Sequence, residues 1–178
     1  MAQRKRSERE VKEELEQRLQ EIELLKEQAQ RQGLAFAAPT KEQLEKKIRG
    51  GGSSNSPYLY GSTWNSGAPL GTSVSYQVWI ANPDPIYYWG VFVTIFFGLG
   101  NFFDNIADAV IARDTRWPYL SSPPFALTPG LTGTQAFNFA TPNTVPRSTY
   151  LGNAVLWRPE FHDKGSYFDR AFFHITLT

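Results

Sequence analysis

Few residues in this 178-residue chain have the types and spacing to do chemistry. There are two histidines, His162 and His174. The first lies in RPEFHDKG, where Glu160, His162 and Asp163 offer the side chains of an acid–base pair or of part of a metal site. In extended geometry Glu160 and His162 share a face and Asp163 points away, and no third protein ligand is evident, so a solvated hairpin loop is expected. His174 falls on the wetter face of the closing strand, where a surface histidine is the ordinary outcome. Asp104, Asn105 and Asp108 group oxygen ligands, but the dense D-x-D-x-D-G pattern of a calcium loop is missing. No G-x-S-x-G occurs, Gly50–Gly52 lacks the Lys-Ser/Thr sequel of a phosphate loop, and the absence of cysteine removes thiol nucleophiles, thiolate ligands and disulfides. The expectation is a protein that is not an enzyme and holds neither metal nor cofactor.

The surplus lies elsewhere, in aromatic side chains. Phe36 is the only Phe, Trp or Tyr in the first fifty residues, and the other 25 follow it. Trp64, Trp79, Tyr87, Tyr88, Trp89, Trp117 and Trp157 are more than one small core comfortably hides, and exposed rings form protein interfaces or stack on sugars. Trp79, on the side of its strand opposite the apolar row, is the first candidate for an interface, with Tyr87, Trp89, Phe92 and Phe96 beside it. A carbohydrate-binding alternative would use Trp64 and Trp117 with Asn82, Asp84 and Asn101.

The elements that must position these side chains divide the chain in two. Residues 1–50 carry 12 Lys/Arg and 10 Asp/Glu, and the rest carries only 6 and 7. Neither part has a one-signed field, so no nucleic-acid partner is expected. From about Ser7 to Gln32 the segment reads as one helix, with Val11, Leu15, Leu19, Ile22 and Leu25 on one stripe. As a heptad seam this stripe is imperfect, because Arg18 takes a d position. A helix cannot bury such a stripe alone, so it docks on the body, on a partner or on copies of itself; self-association is the expectation, with these five residues as the interface. The stretch LAFAAP follows as a hinge. Then Thr40 and Gln43 form a capping box for a short helix over about 40–49, and residues 50–57 read as a Gly/Ser linker.

Residues 58–178 read as strands cut by proline and glycine. Val74, Tyr76, Val78 and Ile80 alternate with Ser73, Ser75, Gln77 and Trp79, and Asn82-Pro83-Asp84-Pro85 ends that strand. The uncharged run YYWGVFVTIFFGLGNFF, residues 87–103, would make a helix of roughly 25 Å, short of the roughly 30 Å bilayer core. It is expected as a core strand over 87–97, apolar on both faces, and then a turn; a membrane contact through 87–103 is the lesser option. Further strand-sized pieces are Ala109–Ala112, Thr134–Ala140, Tyr150–Trp157 and a closing strand from Tyr167, with Asp104 a candidate cap for a helical turn near 104–111.

About six to eight such pieces predict a mainly β chain, an antiparallel sandwich of immunoglobulin-like or jelly-roll-like type with an N-terminal helical or coiled-coil extension. YQVWIANPDP, LTPGLTGTQAFNF and GSYFDRAFFHITL resemble an early strand and turn, a mid-domain turn and strand, and the closing strand of immunoglobulin-like modules in bacterial and viral surface and particle proteins. The resemblance spans residues 72–178 and departs from antibody domains in having no cysteine pair. It implies a structural or interaction subunit forming a homo-oligomer or larger particle. With no apolar run after the basic start, no ordinary signal peptide is expected, so the protein would be cytoplasmic or built into a particle.

Overall fold

The computed structural model describes residues 6–50, 55–98, 105–158 and 167–178. It is mainly β, with two sheets packed face to face and a helical N-terminal segment. Helix α1 spans Glu8–Arg31 and is capped by Ser7, whose hydroxyl accepts from the Glu10 amide at 3.2 Å. The residues after it do not form a free hinge. Ala35–Ala37 is strand β1, and α2 follows at Lys41–Arg49. The predicted capping box is present: the Thr40 amide donates to the Gln43 side chain at 3.0 Å, and the Gln43 amide donates to the Thr40 hydroxyl at 3.2 Å. Gly50 closes α2 at φ 83°, a left-handed position that glycine takes without the Cβ penalty.

Ten strands are described: β1, β2 (Tyr58–Trp64), β3 (Gly67–Ala68), β4 (Ser73–Ala81), β5 (Trp89–Phe97), β6 (Leu120–Ser121), β7 (Phe125–Leu127), β8 (Thr132–Ala140), β9 (Thr149–Trp157) and β10 (Tyr167–Leu177). One sheet has the order β1-β2-β4-β8, the other β3-β10-β9-β5-β6, with β7 also on β5. Between β5 and β6 lies α3, Ile106–Ile111. Its cap is Asn105, which accepts from the Ala107 amide at 2.9 Å; the strand expected at Ala109–Ala112 is instead the end of this helix. Asp104 lies outside the described residues.

The core between the sheets is built from the rows that alternation predicts. Val74, Tyr76, Val78 and Ile80 of β4 face Val91, Val93, Ile95 and Phe97 of β5 and Phe173, Ile175 and Leu177 of β10. Rings dominate it: Phe97 stacks on Trp117 at 3.9 Å between centroids and Tyr76 on Phe173 at 4.3 Å. Gly152 of β9 lies against the Phe173 ring, where a Cβ would sit 2.3 Å from Cζ, so only glycine leaves room for it.

Both sheets are also covered on the outside. α1 and α2 lie on the first sheet, where Val11, Leu15, Ile22, Leu44 and Ile48 share one cluster with Tyr58, Tyr60 and Ala81. Residues on either side of the 50–57 segment therefore share one hydrophobic cluster. On the second sheet, α3 supplies Ile106 and Ala109 to a cluster with Phe96, Val155 and Trp157. The strand over 89–97 is thus buried on both faces by its own chain, which accounts for its unbroken apolar character. Among the described residues no helix is long and apolar enough to cross a membrane.

Candidate interaction surface

Asn82 and Asp84 build the turn that joins β4 to β5. Asn82 is 1% exposed; its amide nitrogen donates to the carbonyls of Tyr87 and Leu127, each at 2.9 Å, and its Oδ1 accepts from the Asp84 amide at 3.0 Å. The Asp84 carboxylate, 2% exposed, accepts from the amides of Ile86 at 2.9 Å and Tyr87 at 2.8 Å. Gly130 donates to the Asp84 carbonyl at 2.9 Å, which ties the neighbouring β7–β8 loop to the same frame. Such Asx turns explain why the NPDP run forms here, since two prolines remove backbone donors and the side-chain oxygens of Asn82 and Asp84 accept from the amides that remain.

The frame holds apolar groups out toward solvent. Ile86 is 72% exposed, Tyr87 50% and Tyr88 66%. Leu131, at the end of the adjoining loop, is exposed as well. The Tyr87 ring lies 5.5 Å from Trp89, and Trp89 meets Phe168 edge-on at 5.3 Å. Arg158 covers this inner part, with its guanidinium carbon 5.1 Å from the Trp89 ring centre and 4.9 Å from that of Phe168. The result is an aromatic ledge that is anchored at its root and bare at its tip.

The other predicted interface residues are placed differently. Val11, Leu15 and Ile22 are buried on the chain's own sheet, and Leu19 and Leu25 are partly buried there. The stripe is spent on intramolecular docking, so it offers no seam to another helix while α1 is in place. Arg18 shows why the heptad pattern was imperfect: it is 4% exposed, its guanidinium carbon 5.4 Å from the Tyr60 ring centre, and its Nη1 donates to both Glu21 oxygens at 2.9 Å. Beside it the Tyr58 hydroxyl donates to Glu14 at 3.0 Å, and Glu14 also pairs with Arg6. Burial pushes the Tyr58 phenol far up, with the Glu14 charge adding to it, and pushes Tyr60 up to about 12. Trp79 is half covered by this helix cluster, Phe92 is half-buried against Trp157, and Phe96 is buried under α3.

The residues of the carbohydrate alternative do not converge. Trp64 is buried and donates its indole N–H to the His174 carbonyl at 2.8 Å, and Trp117 is buried on Phe97. Asn82 and Asp84 are committed to the turn, and Asn101 lies outside the described residues, as do Glu160, His162 and Asp163. His174 is exposed. Among the described residues no group of three His, Cys, Asp or Glu is arranged to hold a metal ion.

A cleft of about 550 Å³ lies between α2 and β10, and Lys47 and Asp169 in its lining pair with each other. Asp169 accepts from Lys47 Nζ at 2.6 Å and from the Leu59 amide at 2.8 Å. Both strands are irregular at this point, β2 between Leu59 and Gly61 and β10 between Tyr167 and Asp169, so the carboxylate satisfies an amide that the bulge frees. It is a joint between the two sheets. No spacing signal in the sequence marks it, because Asp169 lies 110 and more positions from Leu59 and Lys47.

No family model matches the chain, and no curated protein matches it. Among solved structures, the CARDB domain of PF1109 from Pyrococcus furiosus is similar over 69% of this chain and 86% of its own, with 14% identity and a TM-score of 0.42. A Niemann-Pick type C2 protein from Japanese carpenter ant is similar over 71% and 96%, with 8% identity and a TM-score of 0.44.

Proposed function

We propose that the chain is a non-enzymatic structural or interaction subunit, an immunoglobulin-like or jelly-roll-like sandwich that joins a homo-oligomer or larger particle through aromatic residues at one end. The observation that carries this is the turn at 82–88, where two buried polar side chains fix the backbone and leave Ile86, Tyr87 and Tyr88 exposed together. A fixed backbone loses little entropy on docking, and tyrosine gives large contact area with few rotatable bonds, which is what an interface anchor requires. The N-terminal helix has a different part in this reading. It completes the fold of the subunit by covering its first sheet.

The test is mass in solution across the micromolar range, by sedimentation velocity and light scattering, for the whole chain and for an Ile86→Ser/Tyr87→Ser/Tyr88→Ser variant. The expected result is a mass above that of the monomer that falls in the variant while the far-ultraviolet circular dichroism is unchanged. A monomer throughout, or an association that the variant leaves intact, overturns the proposal.

A further inference from the structure

The four-stranded sheet ends on one side in β1, three residues long, and on the other in β8, nine residues long. The edge strands of the second sheet, β3, β6 and β7, are two or three residues each. β8 pairs with β4 from Ser73↔Ala140 to Ala81↔Thr132 without a register shift. Its sequence, TGTQAFNFA, contains no charge and no proline. Soluble proteins ordinarily protect long edge strands with lysines, prolines or bulges, and this one has none of them.

The direction of its free groups follows from two hydrogen bonds at the ends of the β4–β8 pairing. Thr141 donates to the Thr72 carbonyl and Asn82 to the Leu131 carbonyl, each at 2.9 Å. In an antiparallel ladder hydrogen-bonded pairs recur at every second residue. Gly133, Gln135, Phe137 and Phe139 therefore turn their N–H and C=O toward β4, and Thr132, Thr134, Ala136, Asn138 and Ala140 turn theirs outward. Those five residues are also the exposed ones along the strand. Among the described residues, no backbone hydrogen bond is made by the outward groups.

We infer that β8 is the seam of a two-fold symmetric dimer, in which the β8 strands of two copies pair antiparallel about Ala136 and join the four-stranded sheets into one. The inference deepens the assembly reading above by assigning one interface of the subunit. A second copy is the occupant that fits best, because pairing about Ala136 satisfies the outward groups of both strands at once, and every residue meets one of the same face. Thr134 lies opposite Asn138 of the partner on the polar outer face. On the inner face Gly133 lies opposite the partner's Phe139, an aromatic across from an edge glycine, which is a favourable cross-strand match. α1 stands near Thr132–Thr134, where Leu24 is exposed beside Trp79. In the dimer these parts of the two α1 helices, each beside Thr132–Thr134, fall toward opposite ends of the seam.

The test uses the absence of native cysteine. Spin labels on Ala136→Cys face each other across the two-fold, so strong dipolar broadening is expected. Labels on Ala140→Cys sit eight positions apart along the seam, which at ~3.4 Å per residue predicts a pulsed-resonance distance of about 27 Å. Ala136→Pro removes only an outward donor and should abolish the dimer while leaving the circular dichroism unchanged. In the Ile86→Ser/Tyr87→Ser/Tyr88→Ser background the spin distances should persist. If that background persists as a dimer and the Ala136 label shows no broadening, the seam is elsewhere and the inference is overturned. If the dimer and its broadening remain but the turn variant loses no mass, the inference stands and the turn reading fails. A monomer throughout overturns both.

Discussion

The two sheets of this sandwich are each covered on the outside, one by a 24-residue helix with its nine-residue companion, the other by a six-residue helix. The long cover is polar over most of its surface and lies on Tyr58, Tyr60 and Gly61 of β2 and Ala81 of β4; the short cover lies on phenylalanine, valine and tryptophan. The difference is one of chemistry at the contact. Over the first sheet, hydroxyls and charges are interleaved with the apolar stripe, as in the Tyr58–Glu14 and Arg18–Glu21 contacts, and Lys47 and Asp169 extend the polar part to the second sheet. Under α3 the contact is apolar throughout, Ile106 and Ala109 lying on a bed in which Phe92 stacks on Trp157 and Phe96 on Tyr119. A small apolar contact holds a short helix where a broad mixed contact is needed to hold a long one.

The largest effect expected from breaking this symmetry is removal of the long cover. A chain beginning at Ser53 uncovers Tyr58, Tyr60, Trp79 and Ala81 together, and we expect it to bind hydrophobic dyes and to aggregate, as read by dye fluorescence and light scattering. A soluble monomeric body would show that the helices are dispensable. Next is the short cover: Phe96→Ala should cost ~3–5 kcal/mol in urea unfolding, whereas truncating the exposed Ile111 of the same helix should leave the midpoint within ~0.5 kcal/mol.

Smaller but more diagnostic is the alkaline limb. Burial holds the phenols of Tyr58, Tyr60 and Tyr76 neutral above the ordinary tyrosine range. A folded pKa above the unfolded value stabilises fully below about pH 10 and is lost as the pH rises further, so stability should fall above pH 10 and phenolate absorbance should rise together with loss of circular dichroism. Tyr58→Phe should lower stability at neutral pH by ~1–3 kcal/mol through the lost bond to Glu14, and should soften the alkaline limb. Phenolate absorbance that rises before the fold is lost would contradict the burial of these rings. The smallest effect belongs to Asp114, on the return from α3, whose carboxyl is held below its ordinary range by Arg116. That contribution is present above the ordinary carboxylate pKa and disappears as the pH falls through the folded value, so Asp114→Asn should move only the acid midpoint, and slightly.

How much of this could be read beforehand varied with the strand. β4 alternates, with Val74, Tyr76, Val78 and Ile80 inside as expected; on β10 Phe173, Ile175 and Leu177 are inside, but Tyr167, before the register shift, is exposed. β5 was legible as a strand dry on both faces, since Val91, Val93 and Ile95 alternate with Phe92 and Phe96. β2 is equally buried but carries no alternating signal, because Tyr58, Tyr60, Ser62 and Thr63 look amphipathic or polar while the helix cluster that covers the two tyrosines is out of view. The turn at 82–88 is legible from its prolines, and only the carbohydrate alternative has Asn82 and Asp84 facing a ligand. Turned inward, they hold the backbone, and the exposed groups are their neighbours Ile86, Tyr87 and Tyr88. Local spacing marks where a polar residue lies in a turn; the carbonyl it reaches, such as that of Leu127, is set by a distant strand.

The sequence by itself determined α1, α2 with its capping box, the alternating strands, and the lack of any cysteine chemistry, since each depends on neighbours within a few positions. The tertiary structure decided what the apolar stripe of α1 covers, which side of β5 a helix takes, and which strand is left at an edge. Those outcomes rest on contacts between residues far apart in the chain. A stripe or an edge has no preferred partner until the sheet exists.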